Sequence, residues 1–168
     1  MAPIIRKVER ADLPALHRVI ERAYRGDSAR MGWTHEADLL AGTRTDLAEL
    51  EAIVGDQSQA LLAIFEGDMP LGCVNVTDRG HGLAYLGLLC IEPARQGKQL
   101  GRRLMAAAET HAREVYGCAT IEMTVIEQRH ELIAYYERRG WKQTGERRPF
   151  PVPLDPPYFM TVLAKPLF

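Results

Sequence analysis

Leu83-Ala84-Tyr85-Leu86-Gly87-Leu88-Leu89-Cys90-Ile91 is the most apolar strand-length run in the chain. Glu92-Pro93-Ala94-Arg95-Gln96-Gly97-Lys98-Gln99-Leu100-Gly101-Arg102 follows it directly. Nine residues with almost no polar side chain suit a strand buried on both faces, hence one at the centre of a sheet. Beyond the turn, Leu100, Leu104, Met105, Ala108, Ala112 and Val115 form one helical stripe, and Gly117 closes it. A strand that passes through a glycine turn into a helix leaves the first helical N–H groups without internal acceptors. The helix dipole adds positive character at that end, so it suits a phosphate. Gly97 permits close approach of an anion, and Lys98, Arg102 and Arg103 raise the local potential. A glycine before a helix is also plain turn chemistry, so the segment alone does not decide between the two.

Two familiar phosphate motifs fail here. A Walker loop needs Ser or Thr after its lysine, where Gln99 follows Lys98. It also needs a glycine five positions before Gly97, where Glu92 stands. The glycine spacing does not match a dinucleotide fingerprint.

Working outward, residues 60–65 and 71–77 are apolar strand-length runs joined at Gly67-Asp68. Residues 4–8 suit an edge strand. Asp12 is placed to cap a helix through Leu16, Val19, Ile20 and Ala23 that Gly26 would end. Residues 26–34 read as loop, and 36–41 and 46–54 as short helices, each begun by a threonine able to cap. Downstream, 121–126 reads as strand and 131–139 as a helix stopped by Gly140. Residues 141–146 and 158–164 read as strands separated by a proline-rich connection. This order predicts an α/β or α+β fold, a mixed sheet covered by helices.

With 168 residues and no repeat or linker, residues 1–168 are expected to form one domain. The 21 basic and 22 acidic side chains leave a net charge of -1, which argues against a nucleic-acid or anionic-membrane surface. No apolar run reaches bilayer length, and the charged start lacks a signal-peptide core, so a cytoplasmic location is expected. Cys73, Cys90 and Cys118 read as small thiols beside apolar runs, and neither they nor the scattered histidines have metal spacing.

The segment Gln96-Gly97-Lys98-Gln99-Leu100-Gly101 resembles the phosphate loop of the GNAT superfamily of acetyltransferases, with Gln99 in place of the central glycine. That replacement is harmless if Gln99 has helical dihedrals and offers only its N–H. A second stretch, Ile133-Ala134-Tyr135-Tyr136-Glu137-Arg138-Arg139-Gly140-Trp141, is similar to the family's helix ending in tyrosine, charged residues, glycine and an aromatic. Arg129 stands where many members carry asparagine, seven positions before the tyrosine.

The resemblance implies a mostly antiparallel sheet whose two central strands splay around acetyl-CoA, with an amine as acceptor. It implies that Leu89, Cys90 and Ile91 meet the pantetheine arm through their backbone, and that the Cys90 N–H faces the oxyanion. Gln96, Gly97, Lys98, Gln99, Leu100, Gly101 and Arg102 would hold the pyrophosphate, with Arg129 beside them. Tyr136 is the candidate general acid, since a phenol near pKa ~10 can protonate a thiolate near ~8.5. No carboxylate precedes Glu92 on its strand, so Glu122 is the candidate base, with Glu127 or a water chain as alternatives. Trp33, Glu36 and Arg44, in a loop-like stretch, are candidates for acceptor binding. A non-catalytic acyl-CoA-binding sensor is the competing reading, and an antibiotic- or tRNA-directed member a third. Sheet edges would be available for a homodimer.

Overall fold

The structure is a computed structural model describing residues 2–30, 45–95, 97, 99–150 and 156–168, with backbone alone for 25–30. Seven strands form one sheet: β1 (Ile4–Lys7), β2 (Gln59–Glu66), β3 (Met69–Asp78), β4 (Leu83–Ile91), β5 (Thr120–Ile126), β6 (Lys142–Pro149) and β7 (Phe159–Pro166). Their order is β1-β2-β3-β4-β5-β7-β6, antiparallel throughout except for the parallel pair β4 and β5. The described helices are α1 (Leu13–Arg30), α2 (Leu47–Val54), α3 (Leu100–Glu114) and α4 (His130–Glu137). The mixed, mostly antiparallel sheet flanked by helices is the class expected from the sequence.

Period-two alternation gives the sheet two cores. In β2, Leu61, Ala63 and Phe65 join Leu13, Leu16 and Ile20 of α1 and Leu50 of α2. Ala60, Leu62 and Ile64 join Leu104, Ala108 and Ala112 of α3, and Ile133 and Tyr136 of α4 complete that side. Burying each of the large side chains contributes about 1.5–3 kcal/mol.

Several local expectations are corrected. Gly26 does not end α1, which continues to Arg30. Glycine inside a helix costs only about 1 kcal/mol relative to alanine, too little to stop one anchored by buried leucines. Asp12 lies in a separate 3-10 turn, Arg10–Asp12, accepts the Glu9 N–H at 2.8 Å and pairs with Arg6. Asp46, not Thr45, caps α2: its carboxylate accepts the Glu49 N–H at 2.8 Å, while the Thr45 hydroxyl donates to the Glu49 side chain. A carboxylate complements the positive helix end better than a hydroxyl. The helix expected over 36–41 lies outside the described residues.

The sheet divides at its centre. β4 pairs with β5 only from Leu83↔Thr120 to Tyr85↔Glu122, after which the two strands part. Against β3, the register of β4 slips between Cys73 and Asn75, and Leu88 adopts φ 52°. An extra residue of this kind is a β-bulge, which bends its strand. Ala84 and Leu86 are therefore buried, whereas residues 88–91 are half-buried. The expectation of burial on both faces is not met: in the first half of β4 only the face of Ala84 and Leu86 is buried, with Leu83 and Tyr85 half-buried, and the second half borders a cleft. No described helix is long and apolar enough to cross a membrane.

Candidate active site

A cleft of about 1080 Å³ opens where β4 and β5 part. Three elements wall it: the end of β4, the turn into α3 with its first helical turns, and the segment from Gln128 through α4 to Arg139. Leu89, Cys90, Ile91, Gly97, Gln99, Leu100, Gly101, Arg102, Arg129 and Tyr136 all line it. Gln96, Lys98, Trp33, Glu36 and Arg44 lie outside the described residues.

The turn is shaped for close approach. Gly97 has φ 86°, and a Cβ built there would meet nothing within 4 Å. Gln99, just before α3, has φ 61° and ψ 17°, the left-handed conformation and not the helical one that would make its substitution for glycine harmless. A non-glycine residue there costs on the order of 1 kcal/mol. The Gln99 side chain makes no capping bond. The N–H groups of Leu100, Gly101 and Arg102, in the first turn, consequently have no acceptor within the helix.

Positive charge gathers around these amides. Arg95, Arg102, Arg129 and Arg139 face the cleft, against the single carboxylate of Glu131. Arg95 is already paired with Glu66 at 2.7 Å, a hydrogen bond that holds the Glu66 carboxyl below the usual carboxylate range. Arg139 stacks on Tyr135, 3.6 Å from ring centre, and donates to the Tyr135 carbonyl at 3.1 Å. Its buried Nε has no hydrogen-bond partner among the described residues. Gln128, His130, Tyr135 and Arg139 were not singled out from the sequence. The spacing of Tyr135 and Arg139, four apart at the end of α4, is the signal that could have paired them.

Tyr136 is buried except for its approach to the cleft, with its ring edge-on to Tyr135 and Trp141 at 5.4 and 6.4 Å. Trp141 sits in the core because Gly140, at φ 96°, turns the chain sharply after α4.

Glu122 stands at the fork, opposite Tyr85, and does not line the cleft. Its side chain is 9% exposed, and Arg148 donates to both of its oxygens at 3.0 and 3.3 Å. Hydrogen bonds to Glu146 and then Glu122 raise the Arg148 pKa above its ordinary value. Glu127 is likewise engaged: hydrogen bonding to Arg147 pulls its carboxyl below the usual range. Among the described residues no cluster of three or more His, Cys, Asp or Glu side chains could hold a metal ion.

A parted sheet, helix amides without a side-chain cap and a cationic cleft together suit a ligand that carries phosphate groups. The acetyltransferase (GNAT) family model matches residues 16–141, and the chain belongs to that family, whose acetyl donor is acetyl-CoA. A spermine/spermidine N(1)-acetyltransferase of Bacillus subtilis (strain 168) is 32% identical over 69 residues, 41% of this chain and 45% of that protein. The chain thus matches less than half the length of this curated relative. The Escherichia coli ribosomal-protein-S18-alanine N-acetyltransferase is similar in fold, with TM-score 0.75 and 18% identity over 99% of this chain and 94% of that one. PaiA N-acetyltransferase of Thermoplasma acidophilum, crystallised with coenzyme A, has TM-score 0.72 and 19% identity over 99% of both chains.

Proposed function

We propose that this protein transfers the acetyl group of acetyl-CoA directly to a primary amine of a small molecule or peptide, within a ternary complex. One observation supports the reading above others: the uncapped first turn of α3 and the ring of Tyr136 border the same cleft, at the point where β4 leaves β5.

The backbone groups of Leu89 and Ile91, which alternate away from β3 and are no longer paired to β5, are available to hydrogen-bond the amide groups of a pantetheine arm, with Cys90 between them. Residues 96–102, with Arg129 nearby, would hold the pyrophosphate through N–H groups and the helix dipole. Bound acetyl-CoA supplies a thioester. Pairing with Cys73 turns the Cys90 N–H toward β3, so a neighbouring N–H that points away from β3, that of Leu89 or Ile91, would donate to the thioester carbonyl oxygen as negative charge develops there. Tyr136 would pass its phenolic proton to the departing sulfur. Holding donor and amine together is the largest expected contribution, since no covalent enzyme intermediate is needed.

Glu122 is engaged by Arg148, so the reading gives the ammonium proton to solvent water and leaves Glu122 a structural role. Trp33, Glu36 and Arg44 are assigned to the acceptor side. The spermine/spermidine specificity of the Bacillus subtilis relative supports an amine acceptor without selecting one.

Calorimetric titration with acetyl-CoA, followed by thiol-release assays across an amine library, tests the proposal. Binding with thiol release for at least one amine is expected. Tight binding with no thiol released from any acceptor would favour an acyl-CoA sensor, a reading that the engagement of Glu122 and Glu127 by arginines also suits.

A further inference from the structure

Cys73 and Cys90 are directly opposed in the register of β3 and β4, with Sγ atoms 3.6 Å apart. Both are reduced. Opposed residues of antiparallel strands have Cα atoms about 4.5–5.5 Å apart, inside the range of about 4.4–6.8 Å that a disulfide spans. The two thiols differ in access. Cys73 is fully buried, whereas Cys90 is half-buried and lines the cleft. Cys118 offers no comparable chemistry: it is buried, and desolvation followed by the nearby Asp78 pushes its thiol up.

We propose that Cys90 and Cys73 form a redox-active dithiol: Cys90 exchanges with a small-molecule disulfide entering the cleft, and Cys73 resolves the product into an intramolecular bond. The Cys90 thiolate attacks one sulfur of the disulfide, forming a mixed disulfide and expelling one thiolate. The Cys73 thiolate then attacks Cys90 Sγ, forming the Cys73–Cys90 bond and expelling the second. Two electrons pass from the protein thiols to the incoming disulfide, and two protons go to solvent. Excess small thiol reverses both steps. The cationic lining of Arg102, Arg129 and Arg139 favours an anionic disulfide, so oxidised coenzyme A is the preferred reagent. That preference, unlike the dithiol itself, rests on the proposed function.

The exchange also touches turnover. Closing the bond brings the sulfurs from 3.6 Å to about 2.05 Å. The strands have little slack beside them, because a Cβ at Gly72 would overlap the Cys90 carbonyl and lie 2.7 Å from the Ile91 side chain. The movement therefore falls on β4 near its bulge at Leu88, and with it on the neighbouring backbone N–H groups of Leu89 and Ile91. A shift of about 1 Å in a positioning group lowers turnover on the order of 100-fold.

The test treats reduced wild-type protein with oxidised coenzyme A or oxidised glutathione, and reads intact mass without reductant alongside amine acetylation. Wild type is expected to lose two hydrogens, retain no adduct and fall about 100-fold in activity, with dithiothreitol restoring it. Cys73→Ala, outside the machinery, is expected to keep basal activity and retain one coenzyme A adduct on Cys90. Wild-type mass unchanged by both reagents overturns the proposal, and this needs no variant. Oxidation without loss of acetylation overturns the link to turnover. Equal rates with both reagents overturn the cation-guided preference. An unoxidised protein that still acetylates amines sinks only the dithiol, whereas a disulfide in a protein that acetylates none sinks only the proposed function.

Discussion

Arg22, on α1, clasps the carboxylate of Glu92, the residue that leaves β4 and opens the turn into α3, with Nε 3.0 and 3.2 Å from the two oxygens. The Glu92 N–H donates to the Leu71 carbonyl at 2.7 Å, and three residues on, Arg95 reaches Glu66 of β2. The turn is thus held from α1, β2 and β3 at once. Arg22→Ala is expected to raise KM for acetyl-CoA about 2- to 5-fold while leaving kcat near wild type, the scale of a partly exposed ion pair. Glu92→Gln should do the same, and the double variant should be no worse than either single one. Steady-state kinetics at saturating amine checks this; an unchanged KM would remove the positioning role.

Tyr136 touches the cleft yet packs against Tyr135 and Trp141, so phenylalanine keeps the packing and removes only the hydroxyl. Tyr136→Phe is expected to lower kcat about 100-fold or more, with acetyl-CoA affinity by titration within about 2-fold of wild type. Normal turnover would take the acid role away from this residue.

Removing the Glu122 carboxylate leaves Arg148 with Glu146 as its remaining partner. Glu122→Gln is expected to destabilise by about 1–3 kcal/mol in urea unfolding. The acid limb of its kcat/KM profile should stay in place. Movement of that limb would instead make Glu122 the base.

Gln99 occupies a left-handed conformation that glycine adopts without strain. Gln99→Gly should stabilise the protein by up to about 1 kcal/mol, a rise of about 2–4 °C in Tm for a chain of this size. Differential scanning calorimetry reads the shift directly, and a lower Tm would contradict the strain.

His111 sits edge-on to Tyr116, and burial first, then Lys7, lowers its pKa below the ordinary 6.5. Above pH ~6.5 both folded and unfolded states hold it neutral. As pH falls below that value the unfolded state binds the proton first, so stability declines. Asp12, held low by its hydrogen bond to Arg6, acts in a lower window: its contribution is present above 3.8 and is lost as pH falls through its folded pKa. His111→Gln should flatten the loss between pH 7 and 5 in denaturant titrations without changing the decline below 4. An unaltered slope between 7 and 5 would exclude His111 as its source.

Much was legible in the sequence because it follows from local periodicity. Leu16, Val19, Ile20 and Ala23 spell a helix face, β4 begins and ends where its apolar run does, and Leu100 to Ala112 repeats at helical spacing. The glycine turn and the Tyr136 helix could be placed in one family from residue type and order alone. Such signals need no knowledge of what lies across the fold.

The partners across the fold were decided only in three dimensions. Glu122 looks like an available strand carboxylate until β6 brings Arg148 against it, 26 residues later in the chain. Cys73 and Cys90 read as two unrelated buried thiols until antiparallel pairing sets them face to face. The bulge at Leu88 that bends β4 beside the cleft leaves no mark in an unbroken apolar run. Periodicity records which face a residue takes, but register and strand order choose its neighbours. Those choices come from the packing of the whole sheet against its two helical layers.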